Sequence, residues 1–428
     1  MTIGTTILNE REAREARTTA AEYEKALCSE NVLAAIVEGL PAEVVDGYRK
    51  ALEVEKYELE RLIEAYESAK SGDATELKQR AGNDPGHALI VARIVSGLTQ
   101  KELGRKLGVK EQQIQRYEAD RYRTISLSNF QKVASTLGVN LEMKFTKWHR
   151  DGWNLAQAVS AKDITKIIKH ARAHNWFEKE SDESLAADGV SYLQRYVTDH
   201  IIRYGTPSLL RTGLNVEDHT DDMALLAWKA HVTRRAEKII SEKKIEYKPL
   251  EVSWLVDLVK LSREIDGPIK AREMLLTKGI VLMVEPQIPG MKVDGAAFLL
   301  DGVPVIGMTL RRDTIDNFWF TLLHEIAHII LHYRTGLASG FFDDTDNVDV
   351  DEIEAEANSF AGNLLIPDEV WNRSPARIAK GAPVIEKFAQ NQGIHPAIVF
   401  GRIQRERKNY AIFSNKLGRG QVRKQLIT

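Results

Sequence analysis

The residues best suited to chemistry in this sequence are two histidines four positions apart with a glutamate directly after the first, His324-Glu325-Ile326-Ala327-His328. In a helix, positions i and i+4 differ by only about 40° around the axis, so both imidazoles reach one metal ion from one face. Glu325 then stands beside the metal, where a carboxylate can take a proton from a water that the metal polarises. The chemistry this spacing points to is metal-assisted hydrolysis, with His324 and His328 as zinc ligands and Glu325 as general base. An ordinary surface helix decorated with His and Glu fits less well. Leu322, Leu323, Ile326, Ile329 and Ile330 would bury this helix, and a buried histidine pair beside a carboxylate needs partners to offset desolvation.

A catalytic zinc takes a third protein ligand and keeps one position open. Residues 351–367 have helical periodicity, with Ile353, Ala357, Phe360, Ala361, Leu364 and Leu365 on one apolar stripe. Glu354 and Asn358 are again four apart, so a metal-binding carboxylate and an amide bonded to a ligand histidine can come from one face. Glu352 and Glu356 then point elsewhere, toward water. His332 continues the four-residue series but sits about 12 Å along the axis from His324, too far to share the ion, and is assigned a place behind the ligands or on the helix surface.

The pattern His324-Glu325-x-x-His328, followed by Glu354-x-x-Ala357-Asn358-x-Phe360-Ala361-x-x-Leu364-Leu365-x-Pro367, resembles the ImmA/IrrE family of metallo-endopeptidases. Residues 312–318 and 393–402 add to the likeness, which covers roughly residues 255 to 410. The resemblance implies Glu354 as the third zinc ligand and a zinc-dependent endopeptidase activity.

The elements that must position these groups follow from patterning. Residues 279–285 form an apolar run read as a buried strand. Residues 296–300, Asp301-Gly302 and 303–310 read as strand, hairpin turn and strand. A small sheet before the metal helix provides an edge to hold an extended peptide by backbone pairing. The acidic run at 341–352 reads as a solvated loop. His395 and Tyr333 are candidates to stabilise the reacting carbonyl.

A second set of motifs lies upstream. Residues 85–147 hold 11 Lys/Arg against 5 Asp/Glu, a net of +6, the balance of a nucleic-acid-binding unit. Thr99 and Glu102 form a capping box at the start of a helix that Gly108 ends. The next helix buries Ile114 and Tyr117 and exposes Gln112, Gln113 and Arg116, side chains able to contact adenine and guanine edges in the major groove. Leu98-Thr99-Gln100 and Ile114-x-Arg116-Tyr117-Glu118 resemble the XRE-type helix-turn-helix of phage repressors. The resemblance implies that Gln100 begins the helix crossing the DNA backbone and that Glu111, Gln112 and Arg116 face the groove of a double-stranded operator. Asp120 stands where such units usually carry glycine, in a left-handed turn.

The chain has 428 residues, 43% hydrophobic and 28% charged, a soluble globular composition with room for several domains. Its single cysteine, Cys28, rules out an internal disulfide and a cysteine-zinc site. The polar N-terminus and the lack of a long apolar run predict a cytoplasmic protein with no membrane partner.

The expected fold is mainly α with a small β-sheet. It comprises a helical arm at 1–84, a helix-turn-helix domain at 85–147, a helical linker at 148–250, and an α+β zincin-like peptidase domain at 251–428 with a helical tail. The arm carries 11 Lys/Arg against 18 Asp/Glu, so it is not itself a DNA binder; it suits homodimerisation or packing on its own chain. Glu55 interrupts its apolar series. In the linker, His170 and His174 read as an exposed pair, and the polar stretch 178–184 and the loop 205–220 are sites where self-cleavage could occur.

Together these readings give a DNA-binding transcription regulator whose zinc endopeptidase domain cuts a regulatory protein. The alternative is a non-proteolytic repressor of HigA-like antitoxin type, its zinc domain sensing a toxin partner. The intact Glu325 argues for the enzyme, because a structural zinc has no need of it.

Overall fold

The computed structural model describes residues 6–81, 84–140, 161–176, 182–204, 222–243, 245–300, 302–338 and 350–427. The acidic run at 341–349, the loop 205–220 and the first residues of the 178–184 stretch lie outside these. The fold is mainly helical with one small sheet. By its own contacts the chain divides into two compact units, one from Ile3–Ser29 and Leu52–Arg150, the other from Glu30–Ala51 and Asp151–Thr428.

The first unit contains helix α1 (Glu10–Cys28) and the later part of helix α3 (Ala42–Ser71), while the short helix α2 (Glu30–Ile36) belongs to the second. Asn9 caps α1 by accepting from the Glu12 amide at 2.9 Å. In α3, Leu59, Leu62 and Tyr66 are buried as their spacing predicts. Glu55 is also buried at 4% exposure and has a partner, so it joins the stripe rather than interrupting it.

After α4 (Thr75–Ala81) come four short helices, α5 (Pro85–Val95), α6 (Gln100–Leu107), α7 (Glu111–Ala119) and α8 (Leu127–Thr136). Both bonds of the Thr99–Glu102 capping box are present, and Gly108 closes α6 at φ 71°. Leu89, Ile90, Leu103, Ile114 and Val133 make the core. The arm packs on this core: Leu8 O accepts from Arg93 Nη2 at 2.7 Å, and Thr6 Oγ1 lies 3.2 Å from His87 Nε2.

The turn after α7 departs from the left-handed aspartate expected there. Asp120 is not left-handed, with φ −95°; Arg121 and Tyr122 carry the turn instead, at φ 49° and 57°. The turn brings the Arg121 carbonyl so close to Gly86 that a Cβ there would stand 1.8 Å from it.

The second unit opens its longer part with helices α9 (Ala161–Ala173), α10 (Asp182–Tyr204) and α11 (Asp222–Glu242), followed by α12 (Trp254–Lys260) and α13 (Gly267–Thr277). Strands β1 (Val281–Val284), β2 (Gly295–Leu300) and β3 (Val303–Met308) form a sheet of order β1-β3-β2, with β1 parallel and β2 antiparallel to β3. β2 is therefore an edge. Trp228 of α11 packs so tightly on β3 that a Cβ at Gly307 would lie 2.6 Å from its ring.

A buried polar network ties these linker helices to the end of β1. The Glu285 carboxylate accepts from Trp176 Nε1 at 2.8 Å and Arg235 Nη1 at 2.8 Å, and His231 Nε2 lies 3.4 Å from it. His170 belongs to this interior. It is buried at 7% exposure with its ring edge-on to Trp176, so the expectation of an exposed His170–His174 pair holds only for His174.

The metal helix α14 (Ile315–Leu331) follows the sheet, and α15 (Val350–Leu365) packs along it, with Ile353, Ala357, Phe360, Ala361, Leu364 and Leu365 buried as the stripe its spacing predicts. Helices α16 (Asp368–Asn372), α17 (Ala382–Gln392), α18 (Pro396–Glu406) and α19 (Arg423–Leu426) complete this unit. Among the described residues no helix is long and apolar enough to cross a membrane.

Candidate metal centre and DNA-facing helix

Helices α14 and α15 bring His324, His328 and Glu354 together. The two Nε2 atoms are 3.1 Å apart, Glu354 Oε2 lies 3.2 Å from His324 Nε2, and Glu354 Oε1 lies 3.3 Å from His328 Nε2. Ligands held about 2.0–2.1 Å from a tetrahedral zinc stand about 3.3–3.4 Å from one another, so this triangle has the dimensions of one face of a zinc tetrahedron. Two neutral imidazoles and a carboxylate are also the donor set of a catalytic zinc with an open fourth position. Burial acts to raise the Glu354 carboxyl, but the two imidazoles outweigh it and hold it at about 2. The carboxylate is thus ionised, as a ligand must be.

The support behind His328 was only partly legible. His328 Nδ1 lies 3.4 Å from His332 Nδ1, and His332 Nε2 lies 2.9 Å from Glu356 Oε2. One proton arrangement satisfies the whole series: His328 donates from Nδ1, His332 accepts there and donates from Nε2, and Glu356 accepts. That tautomer leaves His328 Nε2 with its lone pair aimed at the site. Glu356 therefore does not simply point to water. Asn358 lines the same cleft as His324 and acts to favour its charged form, but His324 Nδ1 is buried with no hydrogen-bond partner among the described residues, so the amide-to-histidine bond expected from the spacing is not in place.

Glu325 is buried at 5% exposure, and burial pushes its carboxyl up to about 7 against the opposing pull of His324. The backbone amide of Ala297 in β2 donates to it. Such an approach of strand to helix requires Gly295, where a Cβ would stand 2.8 Å from both Glu325 Oε1 and the Thr321 methyl. Sequence reasoning missed Gly295. The signal available was a glycine opening a strand of otherwise bulkier residues.

These groups line one face of a cleft of about 1530 Å³ that also takes in the start of β2, Phe320 and α18. Neither candidate for carbonyl stabilisation lines it. Tyr333 donates its hydroxyl to Gly302 O at 2.8 Å, and His395 Nδ1 caps α18 by accepting from the Ala397 amide at 3.0 Å.

In the first unit, α7 exposes Glu111, Gln112 and Arg116, while Gln113 is half-buried. Gln100 is less free than its position implies, because its amide donates to Glu118 Oε2 at 2.7 Å. Glu118 in turn holds Arg93 through Nε at 2.6 Å and Nη2 at 2.9 Å, both side chains 4% exposed. This bidentate pair joins α5 to α7 and fixes the angle at which α7 presents its outer face.

Two family models match parts of the chain. Residues 92–143 match the family model described as helix-turn-helix, and residues 281–387 match a peptidase-family model described as the IrrE N-terminal-like domain. No curated protein and no solved structure matches the chain. The chain therefore joins a helix-turn-helix DNA-binding segment to an IrrE N-terminal-like domain of metallopeptidase type in one polypeptide.

Proposed function

We propose that this protein is a DNA-binding regulator whose second unit is a zinc endopeptidase acting on a regulatory protein. The observation that carries the reading is the triangle of His324, His328 and Glu354 with the buried Glu325 alongside. His324, His328 and Glu354 would hold the zinc, which when bound lowers the pKa of water and polarises a peptide carbonyl. The chain's own residues do the rest. The outer edge of β2 beside Gly295, where the strand lines the cleft, would align an extended substrate by backbone pairing. Glu325, fixed by the Ala297 amide, accepts the proton of the attacking water and returns it to the leaving amine. The Glu356–His332 series keeps His328 in the ligating tautomer.

The test is a comparison of protein N-termini, by mass spectrometry, after cell lysate and operator DNA are incubated with wild-type protein or with Glu325→Gln. New termini in one partner protein that appear with wild type and not with Glu325→Gln are the expected result. A fragment of this chain itself would mean self-cleavage, and no new terminus across inducing conditions would favour the non-proteolytic, antitoxin-like reading.

For the DNA-binding half, exposure of Arg116 and Gln112 on α7 supports direct base contact. Arg116→Ala is expected to weaken binding to the preferred duplex by about 1–3 kcal/mol while barely changing binding to unrelated duplex, measured by fluorescence anisotropy. Equal loss on both duplexes would make Arg116 a phosphate contact instead.

A further inference from the structure

The cleft beside the metal site has a charge imbalance that the proposed hydrolysis does not use. Most of its acidic side chains are already engaged. Asp294 holds Arg311 through two bonds of 3.0 Å, Asp368 holds Arg402 at 2.5 Å, and Asp313 accepts from the amides of Val422 and Arg423. Three arginines that line the same cleft, Arg312, Arg405 and Arg419, are exposed and make no ion pair among the described residues. Glu406, also in the lining, holds Trp371 and Arg377, and Glu325 and Glu354 belong to the metal site; apart from those two, six basic side chains of the cleft stand against five acidic ones, so the charge left over is weakly positive.

Of the three, Arg405 is the one placed to read a substrate. Its guanidinium lies over the Phe320 ring, 4.0 Å from the centroid, and Phe320 stands 6.2 Å, ring to ring, from His324. An extended peptide advances about 3.3 Å per residue, so Arg405 meets substrate no more than about three residues from the bond at the metal. Stacking occupies the face of a guanidinium and leaves its edge, with the forked N–H donors, free for a carboxylate. The half-buried Asp316 acts on Arg405 electrostatically but forms no ion pair with it.

We infer that the peptidase site selects peptides carrying an aspartate or glutamate side chain within about three residues of the scissile bond, and that Arg405, stacked on Phe320, is the residue that reads it. This rests on the peptide-binding reading of the cleft, but not on turnover. Arg312 and Arg419 add a general attraction for acidic segments, whereas the fork of Arg405 fixes where along the peptide the acid must fall.

The experiment uses full-length Glu325→Gln protein loaded with zinc and immobilised, with random octapeptides as probe. One pool is C-terminally amidated and a second carries a free carboxylate; captured peptides are sequenced by mass spectrometry. The expected result is enrichment of Asp and Glu in the amidated pool, with affinity for a selected acidic peptide falling about five- to tenfold in an added Arg405→Gln change. Arg405→Glu should shift the enrichment to Lys and Arg, and zinc content and melting temperature, measured alongside, should not move. Capture of no peptide, enrichment only in the free-carboxylate pool, or an acidic preference as strong and as fixed in position in Arg405→Gln and Arg405→Glu as without them would each overturn the inference. If the selected acidic peptides bind but wild-type protein does not cut them, the peptidase reading fails while this specificity stands.

Discussion

His328→Ala is expected to leave the purified protein without stoichiometric zinc, whereas Glu325→Gln should keep its zinc and lose hydrolysis. The two variants differ because the residues differ in what they face. His328 Nε2 is one corner of the triangle with His324 and Glu354, and its removal leaves two donors where a catalytic zinc takes three. Glu325 contributes no atom to that triangle; it is held by the Ala297 amide, and its amide isostere keeps shape while removing the proton acceptor. Loss of a positioned general base costs about 10²–10⁴-fold in rate. Zinc content by inductively coupled plasma mass spectrometry and cleavage of a selected peptide give the two readouts. A Glu325→Gln protein without zinc would make Glu325 a ligand and break the assignment. The third ligand is tested the same way: zinc that survives Glu354→Ala but not Glu356→Ala would move it by two residues.

The other large effect lies in the DNA-binding half. Glu118→Ala should disorder the helix-turn-helix and abolish specific DNA binding, although Glu118 faces inward. Its removal leaves the Arg93 guanidinium buried, still bonded to the carbonyls of Leu8 and Leu98 but without a counter-charge. Breaking one side of a buried pair costs about 3–5 kcal/mol, a large part of the stability of a small unit. Replacing both partners by apolar residues, Arg93→Met with Glu118→Leu, should recover most of that loss, since no charge is then stranded. Hydrogen exchange across α5 to α7 measures the effect without requiring the whole chain to unfold in one step. Protection in Glu118→Ala equal to wild type would show that the pair does not hold the unit together.

What the sequence disclosed and what it hid separate along chain distance. The face shared by His324 and His328, the stripe on α15, the Thr99 capping box and the three strands are all set by neighbours within about four residues, so periodicity and capping rules reach them. The contacts that escaped cross long separations. Glu356 meets His332 from the facing helix, Gln100 is drawn to Glu118, and Glu55 finds a partner inside a stripe it would otherwise break. The four-part network around Glu285 gathers residues from three elements, and a scatter of histidines along the chain gave no sign that His231 sits within it while His170 packs on its Trp176. The turn after α7 was misplaced by one residue because the rule concerns backbone angle, and Arg121 and Tyr122 adopt it without being glycine.

The clearance at Gly295 has a consequence for how such a site tolerates variation. The Glu325 carboxylate is located by an absence of atoms in the strand opposite, so a single methyl group there would push on Glu325 from a position outside the triangle of His324, His328 and Glu354. A saturation survey of this chain scored on cleavage would therefore rank a residue with no side chain among the least replaceable, alongside the histidines themselves.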